Sequence, residues 1–147
     1  MPSTSTTDRI ERTLLLRAPR ANVWRALSDV AFIGELFGAN PTEAFAPGQH
    51  FRGQLGNPTW EAVIERVVPE RLFSWRWHPG EVDPDLDYSR EPTTLVTFEL
   101  EDAPKGTLLT LVESGFDQLS PERRVQTIDL NSQGWDTTLE SLTRRAR

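Results

Sequence analysis

The last segment of this chain constrains it most: one long amphipathic helix that follows a run of strand-like segments instead of alternating with them. Ser120 is placed to cap this helix, and Pro121 takes the first helical position, where a missing N–H costs nothing. Over the following two dozen residues or so, Val125, Ile128, Trp135, Leu139 and Leu142 recur at spacings of three, seven, four and three, which puts them on one face. Gly134 lies inside the helix at a cost of about 1 kcal/mol relative to Ala. It either makes room for a neighbour or is merely tolerated.

The segments before the helix have a period of two. Ile10, Leu14 and Leu16 alternate with polar neighbours between Asp8 and Arg17, with one irregularity near Thr13. Ala18-Pro19 stops that strand. Val23, Trp24 and Leu27, then Val30, Ile33, Leu36 and Phe37, follow at helical spacing, so two short helices are expected with a break at Ser28-Asp29. His50–Leu55 and Trp60–Val68 read as strands joined through Gly56-Asn57-Pro58, and Pro69-Glu70 leads into Arg71–His78, where Phe73, Trp75 and Trp77 make one face strongly aromatic. Residues 93–102 alternate Val96, Phe98 and Leu100 against Thr97, Glu99 and Glu101, and Pro104-Lys105-Gly106 turns the chain into Thr107–Phe116.

Strands joined by short turns form an antiparallel meander, not parallel units with crossover helices. A single amphipathic helix covers only one face of such a sheet, so the sheet must curl around it. The expected fold is therefore α+β in a helix-grip arrangement: a curved antiparallel sheet of about six to seven strands around the C-terminal helix, with two short helices after the first strand. Where side chains fall short between sheet and helix, an apolar pocket is expected.

Composition narrows the function. The chain has 147 residues, enough for one domain that needs no staple, expected over residues 8–147 behind a disordered tail of residues 1–7. It has no cysteine, which excludes disulfides, thiolate zinc sites and a cysteine nucleophile. A net charge of −6, with arginines scattered among acids, argues against nucleic-acid binding. No apolar run approaches membrane-spanning length, so no membrane insertion and a cytoplasmic location are expected.

Five stretches resemble one superfamily. Ala18-Pro19, Val23-Trp24 and Ala26-Leu27 follow the opening "AP-x-x-x-VW-x-AL" of the SRPBCC proteins, which include the START-like and birch-pollen-allergen-like folds. Pro47-Gly48 with Phe51 resembles "G-x-x-F", and Pro69-Glu70-Arg71-Leu72 with Ser74-Trp75 resembles "PE-R-L-x-x-SW". Gly106-Thr107 through Leu109, Leu111, Glu113, Ser114, Gly115 and Phe116 resembles "GT-x-L-x-L-x-E-SGF", and Gly134-Trp135 with Leu139 and Leu142 resembles "GW-x-x-x-L-x-x-L". The chain is most similar to the branch named for the activator of the heat-shock protein 90 ATPase. It departs from that branch in two places: Leu36-Phe37-Gly38 lacks the tryptophan usual ahead of "F-G", and Ala62 stands where a glycine is common. Nothing resembles the "N-x-N-N-W-H-W" motif of the second domain in eukaryotic chaperone activators.

For chemistry, the candidates are few. His50 and His78 lie on different strands with no third ligand at metal-binding spacing. Asp83-Pro84-Asp85-Leu86-Asp87 begins like a calcium loop, but Tyr88 holds the glycine position and Thr94 the place of the bidentate Glu. No nucleophile-elbow, zincin, dinucleotide or P-loop motif occurs, so no catalytic residue, metal or cofactor is expected. Glu113 shares a face with Leu109 and Leu111. Burial disfavours the charged form of a carboxylate unless a partner offsets it, and Arg66 and Arg76 are the candidate partners. Asp129 and Gln133, one turn apart, are expected to face solvent.

The expected ligand-binding residues are Trp75, Trp77, Phe98, Leu109, Leu111, Glu113 and Trp135, together with Phe37 and Phe51. The expected function is non-catalytic binding or transport of a small hydrophobic or aromatic molecule. The resemblance implies two alternatives. One is a polyketide cyclase or aromatase-like enzyme using Glu113 with an Arg or His. The other is a module that regulates a chaperone ATPase, with the chaperone as partner. The flat aromatic strand faces would also support a homodimer.

Overall fold

The computed structural model describes residues 9–29, 32, 47–48, 50–52, 61–78 and 91–146, with backbone only at 50–52 and 61. The chain begins with strand β1 (Arg9–Leu16) and helix α1 (Arg20–Leu27). Strands β2 (His50–Arg52), β3 (Glu61–Val68), β4 (Leu72–Trp77), β5 (Thr94–Ala103) and β6 (Gly106–Ser114) follow. A 3-10 turn (Phe116–Gln118) then leads into the long helix α2 (Pro121–Arg145). The expected tail, Trp60 and the turn at 56–58 lie outside the described residues. Of the second short helix only Phe32 is described, helical and buried.

Among the described residues the strands form one antiparallel sheet of six in the order β1-β6-β5-β4-β3-β2. From β2 to β6 it is the expected meander. β1 stands apart, because α1 carries the chain away and β1 pairs with the last strand, Ile10 opposite Glu113 and Leu16 opposite Thr107. The fold is the helix-grip, with a strand count at the low end of the expected range.

Alternation decides which face is buried. Thr107, Leu109, Leu111 and Glu113 of β6 point inward, as do Thr94, Val96, Phe98 and Leu100 of β5 and Phe73 and Trp75 of β4. On β3 a bulge between Ile64 and Arg66 inserts one residue, so the inward series Ala62, Ile64 resumes at Val67 and Arg66 stays exposed. The irregularity expected near Thr13 is absent. β1 alternates throughout, and Arg12 takes an inward position, reaching over the sheet edge to Asp136 of α2 at 2.9 Å.

Two stretches that lie far apart in sequence close the fold together. The Thr107 hydroxyl donates to the Ala18 carbonyl at 2.8 Å, holding the turn before α1. Beside it Gly106 has φ +151, and a Cβ there would lie 2.0 Å from the Leu16 carbonyl oxygen. Only glycine lets the β5–β6 hairpin approach β1 this closely. Gly134, by contrast, has nothing within 4 Å of a Cβ, so it makes no room for a neighbour and is merely tolerated.

Candidate functional site

The inner face of the sheet carries one charged group among its rings. Glu113 is fully buried, and its carboxylate accepts hydrogen bonds from two strands, β4 and β5, and from the helix. The Trp77 indole N–H donates to Oε2 at 2.8 Å and the Trp135 indole N–H to Oε1 at 2.8 Å. The Thr94 hydroxyl donates to Oε2 as well. The Asn131 amide spans both oxygens, at 3.0 and 3.1 Å. All four donors are neutral.

Register explains why they meet. Trp77 pairs with Thr94 across β4 and β5, while Val96, two residues along on the same face, pairs with Glu113 across β5 and β6. On α2, Asn131 and Trp135 are one turn apart, so both side chains reach down to the same point. Neither Arg66 nor Arg76 is a partner of Glu113, contrary to expectation. Arg66 is exposed, and Arg76 pairs with Glu65 at 2.9 Å on the outer face, because both arginines fall on the outward phase of their strands.

The rings around Glu113 form one packed cluster. Trp75 lies against Phe98 with centroids 5.6 Å apart, against Trp77 at 5.6 Å and against Trp135 at 6.2 Å. Trp135 also meets Phe98 edge-on at 5.9 Å and stacks on Trp77 at 5.7 Å with 30° between planes. Such separations are contact distances for aromatic pairs, leaving no room for a further ring between them. Trp77 is the one member of the cluster that is only half-buried. The structure thus gathers Trp75, Trp77, Phe98, Leu109, Leu111, Glu113 and Trp135 on one face. Phe37 and the side chain of Phe51 lie outside the described residues, as do the side chain of His50 and the acidic stretch 83–87.

Sequence reasoning missed Thr94 and Asn131. For Asn131 a signal was present: the seven-residue gap between Ile128 and Trp135 spans two turns, so an inward position between them had to be filled, and it is filled by a polar residue. Asp129 and Gln133 are exposed, as expected, and hydrogen-bond to each other at 3.3 Å. A separate groove of about 260 Å³ lies at the far end of β1, lined by Leu15, Leu16, Arg17, Ala18, Thr143 and Ala146. No helix among the described residues is long and apolar enough to cross a membrane.

A family model described as "Activator of Hsp90 ATPase homolog 1-like protein" matches residues 17–147. No curated protein matches the chain. Among solved structures, protein MLL2253 from Mesorhizobium loti superposes with a TM-score of 0.69 at 23% identity, covering 93% of this chain and 95% of that one. CalU16 from Micromonospora echinospora gives 0.62 at 24% identity, over 94% and 74%. The Aha1 dimer from Colwellia psychrerythraea gives 0.64 at 15% identity, over 92% of both chains. Likeness at these identities establishes the fold.

Proposed function

Because this chain belongs to the family of activator-of-Hsp90-ATPase homologue 1-like proteins, as its five motif stretches led us to expect, we propose that it binds a small apolar or aromatic molecule against the inner face of its sheet, without catalysis. The observation that carries this reading is Trp77. Its ring is half-buried, its N–H is tied to Glu113, and Trp135 stacks against it. An aromatic surface held in one orientation and left partly accessible offers contact area at little ordering cost.

The same geometry weakens the enzymatic reading. A general base needs a free lone pair within reach of a substrate proton, and both Glu113 oxygens already accept two or more hydrogen bonds. The family description favours one further reading, a partner role toward the Hsp90 chaperone. A pull-down on the chaperone's middle domain that recovers this chain would shift the assignment there.

Binding is tested by titrating tryptophan fluorescence with fatty acids, sterols and flavonoids. Trp75, Trp77 and Trp135 are three of the five tryptophans, so occupancy should change intensity or wavelength saturably. A flat response to every compound, with calorimetry also silent, would refute the proposal.

A further inference from the structure

The groove at the far end of β1 joins an apolar floor to a cationic rim. Leu16, Ala18 and Ala146 form the floor and are buried, while Leu15 and Arg17 on the rim are exposed. The Arg12–Asp136 pair ties α2 to β1, and the groove opens two turns further along the helix, at Thr143 and Ala146. It is remote from the aromatic cluster. Leu16 pairs with Thr107, six positions before Glu113 on the same strand, which is a separation of about 20 Å.

Most cations of the described residues are engaged. Arg9, Arg12, Arg20, Arg76 and Arg123 each meet a carboxylate at 2.9–3.8 Å, and Arg124 donates to three backbone carbonyls. Among the described residues the side chains of Arg17, Lys105 and Arg144 have no ion pair or hydrogen bond, and all three belong to this corner. Arg17 lines the groove and Arg144 follows Thr143. Lys105 precedes Gly106, where a Cβ would lie 3.0 Å from the Arg17 Cα. The other unpaired arginines, Arg66 and Arg71, lie on β3 and just before β4, at least three strands away from β1. The negative end of the α2 dipole also falls here, but it amounts to about half a charge, which Arg144 in the last turn offsets. Arg17 and Lys105 are left as uncompensated positive charge in a chain whose net charge is −6.

An apolar floor beside unpaired cations matches a molecule with an apolar body and an anionic head. At about 260 Å³ the groove falls below the roughly 300–1,000 Å³ of pockets for drug-sized ligands, so its occupant is small. From these observations we infer that the groove is a second binding site, for a carboxylate on a short alkyl chain. The chain lies on Leu16, Ala18 and Ala146, and the head meets Arg17, whose planar guanidinium can hold both carboxylate oxygens. The site is separate from the inner face of the sheet and does not depend on the reading proposed for it.

Octanoate and octan-1-ol share a chain and differ in charge, so they isolate the contribution of the cations. In nitrogen-15-labelled protein, octanoate should shift the amide signals of Leu16, Ala18, Thr143 and Ala146 saturably and leave the indole N–H signals of Trp77 and Trp135 in place. Octan-1-ol should bind at least about threefold more weakly, the gap that an exposed ion pair supports. Salt at about 1 M, where the screening length is about 3 Å, should close most of that gap. Arg17→Gln should bring octanoate to within about twofold of the alcohol. Thr143→Trp, which fills the groove from the helix side, should remove both responses. Where Thr143→Trp does not fold by circular dichroism, Arg17→Gln carries the test alone, since Arg17 is exposed and unpaired. The absence of any saturable shift with octanoate overturns the inference. So do shifts centred on the two indoles, or a preference for octanoate that Arg17→Gln leaves unchanged. None of these results bears on the tryptophan-fluorescence panel, because no tryptophan lines the groove.

Discussion

At Glu113 a single side chain satisfies four donors from three other elements, β4, β5 and α2, so its loss is felt beyond its own position. Replacing it with Ala strands two indole N–H groups, a hydroxyl and an amide in an apolar setting. Leaving buried donors unpaired costs about 1–3 kcal/mol each before water enters, and breaking a buried charged node typically costs about 3–5 kcal/mol in all. Glu113→Ala should therefore lower the unfolding free energy by roughly that amount in urea titrations. Asn131→Leu removes one donor and leaves three, so its cost should be smaller, about 1.5–3 kcal/mol, the worth of a hydrogen bond to a charged group. If Asn131→Leu costs as much as Glu113→Ala, the carboxylate is not the centre of the network. Gly106 carries a different kind of constraint. Its φ of +151 and the 2.0 Å approach to the Leu16 carbonyl mean that any Cβ must push β1 away from β6. Gly106→Ala should destabilise by more than the roughly 1 kcal/mol of an ordinary glycine exchange, and a midpoint within error of the native protein would contradict the close approach.

At the scale of elements, Gly134 gives the opposite prediction. It sits exposed in the middle of α2 with open space around its Cα. Alanine there removes backbone freedom from the unfolded chain and touches nothing in the folded one. Gly134→Ala should raise stability by about 0.4–1 kcal/mol, read as a higher urea midpoint at unchanged slope. A loss of stability would mean that something packs against this turn. The contrast also shows what was legible in the residues. Periodicity located every described strand to within a residue or two, because alternation is a direct consequence of one buried face. It located α2 and most of its stripe for the same reason, but Val125, expected on that stripe, is exposed in the second turn, and Ser120 precedes the helix without a side-chain cap hydrogen bond.

Periodicity could not show the donors around Glu113. Trp77 and Trp135 count as apolar in any pattern, yet their N–H groups face the carboxylate, and that direction depends on the register of three strands. Arg66 and Arg76 looked like partners because carboxylates usually meet cations, but the bulge on β3 and the outward phase of β4 take both away. Arg12 hid a regular alternation, since a long charged side chain at the sheet edge can point inward and still reach water and Asp136.

Over the whole molecule, the sheet order joins the first described strand to the last. β1 pairs with β6, and α2 lies across the inner face between them, packed against β1 and α1. Trp135 of α2 covers Trp75, Trp77 and Phe98, while α1 packs against β5 and β6 and sets Trp24 against Phe73. Trp135, Leu139 and Leu142 are the buried apolar contribution of that helix. At about 1.5–3 kcal/mol for each large side chain removed from water, they account for roughly 5–9 kcal/mol, which is comparable to the roughly 5–15 kcal/mol total stability of an ordinary domain. The carboxylate of Glu113 would at the same time lose its Asn131 and Trp135 donors and keep only Trp77 and Thr94. A chain ending at Ser120 should therefore not fold to a looser version of the same structure. It should lose its near-ultraviolet dichroism and its sharp urea transition, and it should bind an apolar dye such as ANS through the exposed Trp75, Phe98 and Leu111. A cooperative transition retained by the truncated chain would show that the sheet and α1 are stable alone, and that α2 serves the ligand rather than the fold.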